Sequence, residues 1–116
     1  MEILKYGDEL LVMGIFNFDL EFSKFIVNFH KKRAEKGIKA KIFLHNIAQD
    51  IGERLRYINH TQVKYFKDSV TTPAVFLIYE NKILISLPDD RTFIKLSDKK
   101  VADSFRKRFY LLWGQE

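Results

Sequence analysis

The sequence contains no cysteine, only two prolines and only five glycines among its 116 residues. Without cysteine the chain has no disulfide, no thiolate metal site and no thiol nucleophile. The glycines are scattered and form neither a phosphate-binding loop nor a dinucleotide fingerprint. The longest apolar runs, such as AVFLIY, are too short to span a bilayer. These absences exclude several common kinds of enzyme site and a helical membrane anchor within this sequence.

Hydrophobic residues are abundant, by contrast, at 47% of the chain, and they include eleven phenylalanines and five tyrosines. A chain of this length with that apolar content predicts one folded domain over residues 1–116. The net charge of +5 is a modest excess that a solvated surface explains as well as an anionic partner does. The charged first ten residues do not resemble a secretory signal, so we expect a cytoplasmic protein. We expect no cofactor and no metal site, because ligand clusters are absent.

Hydrophobic periodicity predicts an alternation of strands and helices along most of the chain. Strands are predicted at 9–16, 38–45 and 62–66, on both sides of a Glu80-Asn81 turn, and at 92–96; helices are predicted from Asp19 to Gly37, over 46–59 and after a Ser97 cap. This order predicts an α/β sandwich whose mixed, largely parallel sheet is covered by helices on both faces.

Polar residues follow the first two predicted strands at their carboxyl ends. Asn17 comes after the first strand, and His45 and Asn46 come after the second. Open α/β sheets bind ligands at this edge, so these three residues are candidate ligand-binding residues. No second histidine or carboxylate pair stands at a recognisable spacing from His45, which favours a capping or loop role over catalysis. We interpret His30 as a boundary residue beside the apolar face of the first helix and His60 as the end of the second helix.

The densest charge run is HKKRAEKGIKAK at residues 30–41. Lys31, Lys32 and Arg33 are a candidate anion-binding patch that could face phosphate groups. The alternative is the exposed end of a helix that leads into a strand with outward-pointing lysines. We prefer this second interpretation, because no helix-turn-helix or aromatic nucleic-acid motif accompanies the run.

Several short motifs occur in a fixed order: KGIK after a basic helix end, NIAQDIGERL, VKY, the TTPAVFLIYENKILIS hairpin and a closing VADSFRKRFYLLW. In that order, over residues 10–113, the sequence resembles the domain that follows the DNA-binding head in TrmB-type archaeal transcriptional regulators. That domain is similar to half of a phospholipase D fold. The resemblance implies a homodimer, a sugar or other small-molecule effector, and DNA contact only through a winged-helix domain, which this sequence does not show.

The resemblance also implies where a catalytic site would lie. Active phospholipase D-like halves carry histidine, any residue, lysine, four residues and aspartate along such a hairpin. At those positions this sequence has Pro73, Val75 and Glu80. Proline and valine supply neither a nucleophile nor a charge. We therefore predict a non-catalytic regulatory and dimerisation domain, with an interface around residues 71–75.

Two alternatives stay open. One is a phosphodiesterase or nuclease of phospholipase D-like fold that uses an unfamiliar site with His45 and Lys82. The other is a nucleic-acid-binding protein that uses the basic run at residues 30–41.

Overall fold

The computed structural model describes residues 9–14, 20–45, 48–66, 74–87 and 92–114, and side chains of the first helix from residue 23 onwards. Within these ranges, six strands and three helices follow one another in the order β1 (Glu9–Gly14), α1 (Leu20–Glu35), β2 (Lys39–His45), α2 (Gln49–Arg56), β3 (Thr61–Phe66), β4 (Val75–Tyr79), β5 (Lys82–Leu87), β6 (Thr92–Ser97) and α3 (Lys99–Trp113). The predicted α/β class is confirmed.

All six strands form one mixed sheet in the order β3-β2-β1-β4-β5-β6. Strand β2 pairs in parallel with β1 and β3, whereas the β1–β4, β4–β5 and β5–β6 pairs are antiparallel. The prediction of a largely parallel sheet was therefore wrong. The reason is that β4 runs back along β1, and β5 and β6 then continue as antiparallel neighbours. The predicted hairpin turn is confirmed between Tyr79 and Lys82, with Glu80 at a φ of 49°.

One face of the sheet packs against α1 and α2. Leu10 and Val12 of β1 lie there with the inward side chains of β2, because alternate residues of a strand point to the same face. Ile51 and Leu55 of α2, which repeat at helical spacing, are buried against them. Phe25 of α1 lies one helical turn before the buried Phe29, yet half of its surface is exposed.

The opposite face packs against α3. Leu11, Phe43 and Ile78 of the sheet contact Phe109 and Trp113, whose rings stack with centroids 5.6 Å apart. Helices therefore cover both faces of the sheet, as predicted.

The amino-terminal cap of α3 differs by one residue from the prediction. Asp98, rather than Ser97, caps the helix, since its carboxylate accepts a 3.0 Å hydrogen bond from the Val101 amide. Ser97 is the last residue of β6 instead.

Candidate functional site

Four strand ends meet at one edge of the sheet. Gly14 at the end of β1 pairs with Leu44 and with Val75, and His45 at the end of β2 pairs with Phe66 at the end of β3. The carboxyl ends of the three parallel strands and the start of β4 therefore lie together, which is the usual location of ligand sites in open α/β sheets. We refer to Gly14, His45, Phe66 and Val75 as the carboxyl edge.

The predicted site residues Asn17, Asn46 and Pro73 lie outside the residues that the structure describes. In sequence each is within three residues of a strand end at the carboxyl edge. Their role as ligand-binding or degenerate catalytic positions stays a prediction.

Gly14 allows β1 and β4 to approach each other closely at this edge. A Cβ atom on Gly14 would lie 3.0 Å from the Cα atom of Val75 and 3.1 Å from the Ala74 carbonyl oxygen. These are backbone atoms of a paired strand and cannot easily move aside. Val75 is 3% exposed and belongs to the core on the α1 and α2 face. The position that the resemblance assigns to a catalytic lysine thus holds a buried valine.

His45 has an aromatic neighbour. It is buried at the end of β2, and its ring meets the ring of Phe66 edge to face, with centroids 5.4 Å apart. Phe66 in turn contacts Phe43 of the α3-side core at 5.1 Å. The structure therefore confirms the position of His45 at the strand end, next to a cluster of aromatic rings.

Glu80 lies at the other end of β4 from Val75. The strand between them makes the separation about 16 Å, at about 3.3 Å per residue. Glu80 is exposed in the hairpin turn, and its carbonyl oxygen accepts a 2.6 Å hydrogen bond from Arg106 of α3. Val75 and Glu80 therefore do not contribute side chains to a common site.

His45 and Lys82 are also far apart. Three strand spacings of about 4.8 Å separate β2 from β5 across the sheet. Along the sheet, His45 lies beyond the Gly14–Val75 pair, and Lys82 pairs with Tyr79 at the hairpin end. His45 and Lys82, on which the phosphodiesterase alternative depends, are therefore too far apart to form one site.

The candidate anion patch needs a correction at Arg33. Lys31 and Lys32 are exposed, but Arg33 is 0% exposed and lies inside the protein. Its guanidinium donates to the Ile38 and His60 carbonyl oxygens at 2.8 and 3.0 Å. An arginine whose donors are used in this way cannot face a phosphate group together with the two lysines.

Two further contacts complete the surroundings of Arg33. Its Nη2 atom donates to the Thr61 hydroxyl oxygen at 2.5 Å, and its Nε atom donates to Nδ1 of His30 at 3.2 Å. We refer to Arg33, His30 and their acceptors on Ile38, His60 and Thr61 as the Arg33 network. Burial lowers the pKa of Arg33 to about 10, so it remains charged at neutral pH.

His30 was predicted at the boundary of the apolar face of the first helix but is buried. Burial, and secondly the charge of Arg33, lower the pKa of His30 from 6.5 to about 3. The imidazole is therefore neutral at physiological pH, which leaves Nδ1 able to accept the Arg33 hydrogen bond.

The helical spacing of residues in α1 indicates this network, although the charge of the segment suggested an exposed surface. Ile26, Phe29, His30 and Arg33 have the spacing of one helical face, and that face packs on the core. His60, predicted at a helix end, lies in the turn before β3 with a φ of 60°. Its carbonyl oxygen also accepts from the Ala40 amide at 2.9 Å.

A second polar cluster, near the amino-terminal end of β1, was not predicted from the sequence. Lys41 forms a 3.2 Å ion pair with Glu9 across the β1–β2 pair, and the Tyr110 hydroxyl donates to the same carboxylate. Partial burial lowers the pKa of Lys41, but the hydrogen bond and charge of Glu9 outweigh this and raise it overall. All three groups satisfy one another, so the cluster holds α3 against the sheet.

The described residues contain neither a cluster of metal ligands nor a membrane-spanning helix. No group of three or more histidine, aspartate or glutamate side chains in these ranges is placed to hold a metal ion. None of the described helices combines the length and the apolar character needed to cross a membrane.

Comparisons of the chain with models of protein families, with curated proteins and with solved structures found no match. What the structure defines is an α/β domain with a six-stranded mixed sheet between two helical layers. The resemblance to TrmB-type regulators and the phospholipase D-like half stay predictions from the motifs.

Proposed function

We propose that this chain is a non-catalytic regulatory and dimerisation domain of a transcriptional regulator similar to the TrmB type. It acts by binding a second copy of itself and a small-molecule effector, and no phosphodiester chemistry takes place on it. We include in this proposal that the fold is similar to half of a phospholipase D fold.

The environment of Val75 is the single observation that carries the proposal. A catalytic lysine would need to project into a cleft, but the side chain at this position is apolar, buried and packed in the core. An ammonium group placed there would lose its hydration without gaining a phosphate partner. Glu80, at the far end of β4, supplies its carboxylate to a different part of the surface.

The effector site of this proposal is the carboxyl edge. His45 offers a polar ring there beside Phe66, and Asn17 and Asn46 follow the same strand ends in sequence. A sugar-like effector suits this combination, because such ligands are bound by a few polar groups next to aromatic rings.

Hydrolysis of bis-p-nitrophenyl phosphate tests the absence of catalysis. We expect wild-type protein to release p-nitrophenolate at the rate of the buffer, and the His45→Ala variant to behave in the same way. Turnover by the wild type that disappears in His45→Ala would establish a phosphodiesterase and overturn the proposal.

A further inference from the structure

Strand β6 is an edge strand with an unusual surface. Of the described strands only β5 pairs with it, so the backbone groups on its other side point away from the sheet. Phe93, Ile94 and Leu96 are 57%, 46% and 40% exposed. Natural edge strands are usually short, charged or covered, because an apolar edge invites pairing with another strand.

The described helices leave this edge open. Helix α3 packs mainly on β4, β1 and β5, and α2 packs on β3 and β2. Helix α1 lies against α2 at the same end of the sheet. A second strand can therefore approach β6 without displacing any of the three described helices.

We propose that β6 pairs in antiparallel register with β6 of a second copy of this chain. The two six-stranded sheets then form one continuous sheet of twice that size, with a two-fold axis normal to it. This inference rests on the dimerisation in the proposed function and names the surface that carries it. It is an alternative to the predicted interface around residues 71–75, of which residues 71–73 lie outside the described part of the chain.

Symmetry and side-chain parity leave few registers for this pairing. Residues directly opposite each other in an antiparallel ladder point to the same side of the sheet. The two-fold axis must therefore lie midway between the two copies of one residue, which pairs with its own counterpart. An axis at Phe93 would pair only three residues of β6, 92–94, with their counterparts. An axis at Lys95 would place two ammonium groups opposite each other, which is unfavourable.

The register with Ile94 on the axis avoids both problems. It pairs residues 92–96 of the two copies and sets Ile94 against Ile94 of the second copy. Leu96 of each copy then lies diagonal to this pair on the same face, which extends the apolar strip. On the other face Phe93 lies opposite Lys95 of the second copy, where the ammonium can contact the ring. No two like charges lie directly opposite each other in this register, and the two copies of Lys95 are diagonal neighbours.

Sedimentation velocity of Ile94→Lys tests the surface. We expect this variant to sediment as a monomer with an unchanged circular dichroism spectrum, because it places two cations on the axis. Ile94→Glu should also be monomeric, and an equimolar mixture of the two variants should recover the dimer. The matched control is Leu111→Lys, which introduces the same charge at an exposed leucine on α3 and should remain a dimer.

Cysteine cross-linking tests the register, and the absence of native cysteine makes it unambiguous. Paired Cα atoms in an antiparallel ladder are about 4.5 to 5.5 Å apart, within the range of a disulfide. Ile94→Cys should therefore form a covalent dimer on oxidation. Lys95→Cys should not, because the two copies of residue 95 are diagonal neighbours about 7 to 8 Å apart.

The outcomes separate this inference from the function on which it rests. A wild-type chain that is monomeric overturns both the dimerisation and the β6 interface. A dimer that survives Ile94→Lys overturns the interface alone, as does rapid cross-linking of Lys95→Cys with none for Ile94→Cys.

Discussion

Arg33 of α1 donates a 3.0 Å hydrogen bond from Nη1 to the carbonyl oxygen of His60, a residue 27 positions further along the chain. The same carbonyl accepts the amide of Ala40 at the start of β2. One buried cation therefore connects the end of α1 to the turn that leads into β3. No carboxylate among the described residues is within ion-pair distance of Arg33. Its guanidinium is instead stabilised by hydrogen bonds to backbone carbonyls, a hydroxyl and an imidazole.

Loss of this cation should be costly for stability. We expect Arg33→Met to lower the free energy of unfolding by about 3 kcal/mol, because it leaves several buried acceptors without a donor. The matched control is Lys32→Met at the neighbouring exposed position, which should change it by less than about 0.5 kcal/mol. Urea-induced unfolding followed by circular dichroism measures both. Equal stabilities of the two variants would contradict the structural role of Arg33.

The buried His30 should make stability depend on pH. Its pKa is about 3 in the folded chain and near 6.5 when unfolded, so between these values the unfolded state binds the extra proton. The contribution of His30 is fully present above pH 6.5 and decreases as the pH falls, by about 1.4 kcal/mol per pH unit.

Comparison with His30→Asn isolates this contribution, because asparagine can still accept from Arg33 but does not titrate. We expect the wild type to lose about 2 kcal/mol more than the variant between pH 6.5 and 5, in urea unfolding at each pH. Parallel pH profiles for the two proteins would show that His30 is not buried in its neutral form.

Substitution of Gly52 by alanine should destabilise the protein, although alanine has the higher helix propensity. A Cβ atom there would lie 2.7 Å from Cε1 of Tyr65, and the Tyr65 hydroxyl is held by Glu53 at 2.5 Å. Glycine to alanine inside a helix normally stabilises by up to about 1 kcal/mol. Here we expect Gly52→Ala to destabilise by about 1 kcal/mol, because the ring is overpacked.

Removal of the ring should reverse that sign. In a Tyr65→Ala background, Gly52→Ala should stabilise the protein by up to about 1 kcal/mol. Thermal unfolding of the four proteins in this cycle provides the measurement. A stabilising effect of Gly52→Ala with Tyr65 present would rule out the contact.

The features that the sequence predicted correctly are local ones. Ile51 and Leu55 repeat at helical spacing within α2, and the hairpin requires only that two apolar runs flank Glu80 and Asn81. Such patterns are set by neighbours in the chain, so periodicity is enough to find them.

The features that it missed depend on distant residues. The pairing of Gly14 with Val75 joins segments 61 positions apart, and nothing near either residue shows that β4 runs antiparallel to β1. Arg33 was assigned to the surface by its charge, although its position relative to Phe29 places it on the buried face. Its acceptors on the turn before β3 become visible only once that turn is folded against α1.

The mass of the wild-type chain in solution tests the proposed dimerisation domain most directly. Sedimentation equilibrium over a range of concentrations should give twice the 13.8 kDa of one chain, with dissociation only on dilution. A mass of one chain at every concentration would contradict the account.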